Sequence, residues 1–121
     1  MTTPLLTVVI PCYNEARNIP LLLARFAEKL DRPDVELLLV NNGSQDNSAA
    51  VLADALPHYP FARTVHVPVN QGYGYGILSG LANTTAPYIG WTHADMQTDP
   101  YDLIRALHIL EKANWPTDLY V

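Results

Sequence analysis

Four times along the chain a short apolar run ends in a polar loop and gives way to a stretch with helical spacing. The runs are Leu5–Ile10, Val35–Val40, Arg63–Val67 and Pro87–Thr92. The first two are apolar at consecutive positions, so both faces of each strand need cover. Strands of that kind alternating with helices predict an α/β fold, an open and mostly parallel sheet with helices on both faces. At 121 residues the chain fits one domain, and 49% hydrophobic with 16% charged residues is a globular composition.

The helical stretches follow the same order. Ile19, Leu22, Leu23, Phe26 and Leu30 form one buried stripe, with Asn18 as its expected cap and Pro20 in the first turn. A second helix is expected over Ser48–Leu56 and a short third over Ile77–Asn83. Asp99 and Pro100 open a fourth, whose stripe is Leu103, Ile104, Leu107 and Leu110. Leu119–Val121 has the look of a fifth strand on which the sequence stops, so residues 1–121 are expected to be one part of a larger domain.

In a parallel sheet the loops after the strands share one edge, where ligands of open α/β folds bind. Here those loops are Cys12–Glu15, Asn41–Ser48, Asn70–Gly76 and His93–Asp99. The glycines at 72, 74 and 76 do not have Gly-x-Gly-x-x-Gly spacing, so they are no dinucleotide fingerprint, although their tolerance of positive φ lets a backbone approach a sugar or phosphate. Tyr13 offers an aromatic face for a base. His93, Asp95 and Gln97 stand at i, i+2 and i+4, a spacing that suits a divalent cation with positions left for diphosphate oxygens. A neutral His93 would ligate the metal and favour Mn²⁺ over Mg²⁺, whereas a protonated one would contact the diphosphate directly. Asp99 is better explained as a helix cap. Cys12 has no base near it in sequence and reads as a packing residue, and Tyr88 and Trp91 read as core.

The net charge is −5 and no cluster of Lys or Arg exists, which argues against nucleic acid as a partner. A single cysteine excludes an internal disulfide. The N-terminus carries no signal-peptide pattern and no run approaches a membrane span, so the expected location is cytoplasmic.

Three ordered motifs resemble the family 2 glycosyltransferases: Val9-Ile10-Pro11-Cys12-Tyr13-Asn14-Glu15, Val40-Asn41-Asn42-Gly43-Ser44-Gln45-Asp46 and His93-Ala94-Asp95-Met96-Gln97-Thr98-Asp99-Pro100. The last is most similar to polyprenyl-phosphate sugar transferases such as dolichol-phosphate mannose synthase. The resemblance implies the Rossmann-like, nucleotide-sugar-binding half of a GT-A fold, with Mg²⁺ or Mn²⁺ as cofactor. It implies that Pro11, Tyr13 and Glu15 hold base and ribose and that Asp95 and Gln97 bind the metal; Gly72 is expected near the ligand from its backbone tolerance alone. Asn42 stands where the family has a carboxylate facing the base, and His93 where it has the first metal-binding Asp. The implied reaction moves a sugar from a nucleotide-diphosphate sugar to a lipid-phosphate or saccharide acceptor. The acceptor half and catalytic base are absent from these residues, so the fragment is expected to be inactive alone, with the full protein at the inner membrane face. The alternative is a non-catalytic nucleotide-sugar binding module.

Overall fold

The computed structural model describes residues 4–30, 34–92, 94 and 105. Four parallel strands form one sheet: β1 (Leu6–Cys12), β2 (Val35–Asn42), β3 (Ala62–Val67) and β4 (Tyr88–Trp91). Their order is β3-β2-β1-β4. Three helices connect them, α1 (Ile19–Lys29), α2 (Ser48–Ala55) and α3 (Tyr73–Ala82), with a 3-10 turn at Leu56–His58 after α2. The fold class is the expected one.

Alternation along the strands divides the core into two layers. Leu6, Val8, Ile10 and Cys12 of β1, with Leu37 and Leu39 of β2, pack against Ile19, Leu22, Leu23 and Phe26 of α1 and Leu52 of α2. Val9, Leu38, Val40 and Val67 point to the opposite face. There α3 lies on β1, β2 and β3. It approaches closely because Gly80 lacks a side chain: a Cβ at that position would sit 2.4 Å from Val9 Cγ1.

Three expected boundaries shift. β1 continues through Pro11 and Cys12 and does not stop at Ile10. The carbonyls of Leu5 and Val9 accept from Tyr88 and Thr92, so Pro11, two residues on, also faces the β4 side. The β1–β4 ladder ends at Val9, so the missing N–H of Pro11 breaks no bond of that ladder. β2 likewise carries Asn41 and Asn42 inside the strand, where both are buried, and its loop begins only at Gly43. The helix expected from Ile77 starts at Tyr73, because Gly72 caps it at φ 101° and its carbonyl accepts from Gly76 N. Gly74 and Gly76 are therefore helical and not loop residues; close packing on Pro11 and Asn42 offsets the poor helix propensity of Gly76, whereas a Cβ at Gly74 would meet nothing.

Two smaller expectations also change. Asn18 is the N-cap of α1, yet its side chain makes no capping bond and donates instead to Glu15 Oε2 at 2.7 Å. Trp91 is not core: it shares the α3 face of the sheet but lies on β4, and it is 57% exposed. Apart from Arg105, which is helical, the expected fourth helix and fifth strand lie outside the described residues.

Candidate functional site

The chain steps outward from β1 through β2 to β3, then returns over α3 to place β4 on the other side of β1. That reversal makes the C-terminal end of β1 the crevice of the sheet. A cleft of about 190 Å³ lies there, lined by Pro11, Cys12, Tyr13, Glu15, Asn42, Tyr73 and Ala94. Four of the five expected ligand-binding residues thus share one wall system. The fifth, Gly72, adjoins it through Tyr73 and through its carbonyl, which accepts a bond from Asn42 Nδ2 at 2.9 Å.

Asn42 is the most informative group in the cleft. It ends the longer β2 on the α3 face, where its side chain reaches both Gly72 and the open space. It is only 3% exposed, and its Oδ1 is buried with no hydrogen-bond partner. An unsatisfied buried acceptor costs about 1–3 kcal/mol unless a water or a ligand donor completes it. With its NH₂ held by the Gly72 carbonyl, Asn42 keeps a partnerless acceptor inside the cleft wall, shielded from solvent and without a carboxylate's charge. Asn41 also has a partnerless buried Oδ1. It faces the opposite side of the sheet, where its Nδ2 lies 3.1 Å from His66 Nδ1, and it does not line the cleft.

Tyr13 is 42% exposed and forms a wall of this cleft and of a second one, about 360 Å³, whose other walls are Gly43–Gln45 and Pro68–Asn70. Glu15 uses Oε2 for Asn18. Beside it Cys12 is buried, and its thiol pKa is pushed up to about 12 by loss of solvent and then by the charge of Glu15. A thiol in that state is no nucleophile, in keeping with a packing role.

Sequence reasoning missed the groups that hold the β1 loop in place. Asn14 has φ 53°, the one positive φ outside glycine among the described residues. Its Oδ1 accepts from Gln45 N at 2.8 Å and Asp46 N at 3.2 Å, and its own N–H donates to Ser44 Oγ at 3.0 Å. Asp46 returns the link: Oδ2 accepts from Ala16 N at 3.3 Å, and Oδ1 accepts from the N–H and hydroxyl of Ser48. The Ser48 hydroxyl, above all, lowers the Asp46 pKa below its ordinary value. The signal for part of this was present, since Asp-x-Ser before an apolar helix is an Asx-type cap. Nothing in the sequence pairs Asn14 with residues thirty positions away.

The metal-binding candidates His93, Asp95 and Gln97 lie outside the described residues, as does Asp99. Among the described residues no group of three or more His, Cys, Asp or Glu side chains could hold a metal ion. Ala94, which falls between His93 and Asp95 in sequence, is buried and lines the cleft. No helix among the described residues is long and apolar enough to cross a membrane.

The fold is shared with known proteins. A mannosyltransferase from Pyrobaculum calidifontis, solved in complex with GDP-Man and Mn²⁺, superposes with a TM-score of 0.77 at 24% identity, over 91% of this chain and 33% of that one. Staphylococcus aureus TarS 1-349 in complex with UDP-GlcNAc gives a TM-score of 0.75 at 19% identity, over 90% and 32% of the two chains. At those identities the likeness concerns the fold. In sequence, the undecaprenyl-phosphate 4-deoxy-4-formamido-L-arabinose transferase of Sodalis glossinidius is 35% identical over 117 residues, 90% of this chain and 36% of the relative. The Enterobacter protein of the same name is 39% identical over 103 residues, 82% and 31% of the two. The chain thus spans about a third of the length of these relatives. Residues 7–114 match the family model described as glycosyl transferase family 2, and the chain belongs to that family.

Proposed function

We infer that these residues bind the nucleotide-diphosphate end of a sugar donor, for transfer of the sugar to a polyprenyl phosphate. The observation that carries this reading is the partnerless Asn42 Oδ1, buried in a cleft at the sheet's crevice between Tyr13 and the start of α3. A nucleobase N–H completes that acceptor once the Asn42 side chain turns towards the cleft, and the Tyr13 ring supplies an apolar face for the base. Glu15 gives Oε2 to Asn18, and among the described residues its second carboxylate oxygen is left for a ribose hydroxyl. The names of the two relatives supply the acceptor class.

Asp95 and Gln97, with His93, are the residues we assign to a divalent cation, Mn²⁺ or Mg²⁺; Mn²⁺ accompanies GDP-Man in the Pyrobaculum neighbour. A cation bound there stabilises the negative charge that develops on the departing diphosphate. Binding of the acceptor, and any general base, we assign to sequence beyond this donor-binding part. A phosphate acceptor is already anionic and makes less demand on a base than a hydroxyl does. The site of action is the cytoplasmic face of a membrane, where a lipid phosphate and a soluble nucleotide sugar meet.

Calorimetric titration of GDP and UDP into the Asp95→Ala variant tests the metal assignment. Affinity measured with Mn²⁺ should fall at least about tenfold, while the weak binding without metal stays the same. Equal affinity of variant and wild type in Mn²⁺ would remove Asp95 from the site.

A further inference from the structure

Residues 13–16 divide their tasks by turns. Tyr13 and Glu15 line the cleft, whereas Asn14 and Ala16 are bonded to the loop after β2. The backbone can alternate this way only because Asn14 takes a φ of 53°, a conformation that Asn tolerates better than most side chains. Its Oδ1 then bridges two successive backbone N–H groups, Gln45 and Asp46, and its own N–H closes onto Ser44. Asp46 fixes the far end of the segment through Ala16 N, and is itself tied to the first turn of α2 through Ser48.

We propose that Asn14 is a positioning residue for the donor site: it sets nucleotide affinity by fastening the Tyr13–Glu15 segment to the β2 loop, without touching the nucleotide. This rests on the reading of the cleft as a nucleotide site. The link is stiff because a short side chain bridges to backbone at each end of the segment, Asn14 at one and Asp46 at the other. The bonds are solvent-exposed, so they add little to global stability, and their consequence falls on the placement of the Tyr13 ring and the Glu15 carboxylate. A displacement of about 1 Å in a positioning group is enough to cost on the order of a hundredfold in a site's performance.

Three variants separate the side chain from the backbone conformation. Asn14→Gly keeps the positive φ and loses the acceptor; Asn14→Asp keeps both; Asn14→Ala keeps neither. Titration with GDP and UDP in Mn²⁺ should give a Kd about tenfold higher for Asn14→Gly, and one within about twofold of wild type for Asn14→Asp. Thermal midpoints of these two variants should stay close to wild type. Amide hydrogen exchange, read without nucleotide, should speed up at residues 14, 16, 45 and 46 in Asn14→Gly and not in the strands. An Asn14→Gly protein that binds as tightly as wild type, or whose exchange at these amides is unchanged, overturns the proposal. An Asn14→Asp protein as weak as the glycine variant does so too. Wild-type protein that binds neither nucleotide refutes the donor-site reading itself, whatever the exchange data show, and the affinity role with it. Should Asn14→Ala fail to fold, the glycine and aspartate pair still decides.

Discussion

Replacing Asn42 by alanine sets stability against binding. In the free protein the change removes a buried acceptor that has no partner, relieving about 1–3 kcal/mol, and removes one hydrogen bond to Gly72, costing about 0.5–1.5 kcal/mol. The Gly72 carbonyl keeps its bond from Gly76 N, and the space vacated opens onto the cleft, so water can enter it. The sum lies between a small loss and a gain of about 2.5 kcal/mol, and at about 4 °C per kcal/mol the melting temperature should stay put or rise by several degrees. Nucleotide affinity should move the other way, by at least about tenfold, which corresponds to about 1.4 kcal/mol. Asn41→Ala is the matched control: it too has a buried, partnerless Oδ1, but it faces away from the cleft and should leave affinity unchanged. Differential scanning calorimetry and titration on the same two samples suffice. An Asn42→Ala protein destabilised by more than about 2 kcal/mol would mean that the orphaned oxygen is not a cost, against the expected penalty for such groups. An equal loss of affinity in Asn41→Ala would mean that the cleft is not where the nucleotide binds.

Two further outcomes follow from the packing. Gly80→Ala should lower stability by about 1–3 kcal/mol, because its Cβ would press on Val9, whereas Gly74→Ala, with nothing within 4 Å, should raise it by about 0.5–1 kcal/mol; urea unfolding measures both. Cys12, whose thiol pKa is raised to about 12, should resist thiol reagents at pH 8 until the chain unfolds. Because the unfolded thiol ionises near pH 8.5, the raised folded pKa also means that the Cys12 contribution to stability is complete below that pH and is lost as pH climbs towards 12. Labelling of the native protein within seconds at pH 8 would refute the burial.

The sheet was legible because its strands are read by composition and period, both local properties. The apolar runs before Pro11 and Asn41, and the stripe from Ile19 to Phe26, each correspond to an observed element. What misled were residues whose local preference is overruled by distant partners. Pro11 reads as a breaker, yet at the end of a ladder its missing N–H is harmless. Asn41 and Asn42 read as turn formers, and their inclusion in β2 depends on pairing with Cys12, His66 and Val67. The start of the helix at Tyr73 was hidden by Gly72, Gly74 and Gly76, of which Gly76 is there for close contact with Pro11 and Asn42. At the site, strand ends and loop order brought Pro11, Tyr13, Glu15 and Asn42 together on paper. The Asn14–Asp46 link had no such signal, since it joins two loops by bonds that only the folded chain creates.

A nucleotide should occupy the cleft between Tyr13, Asn42 and the start of α3. Isothermal titration of wild-type protein with GDP, UDP and adenosine diphosphate, each with and without Mn²⁺, tests it most directly. A saturable one-to-one heat for GDP or UDP, strengthened by Mn²⁺ and weakened by Asn42→Ala, is expected. No heat for GDP or UDP in Mn²⁺, or binding that Asn42→Ala leaves untouched, would contradict it.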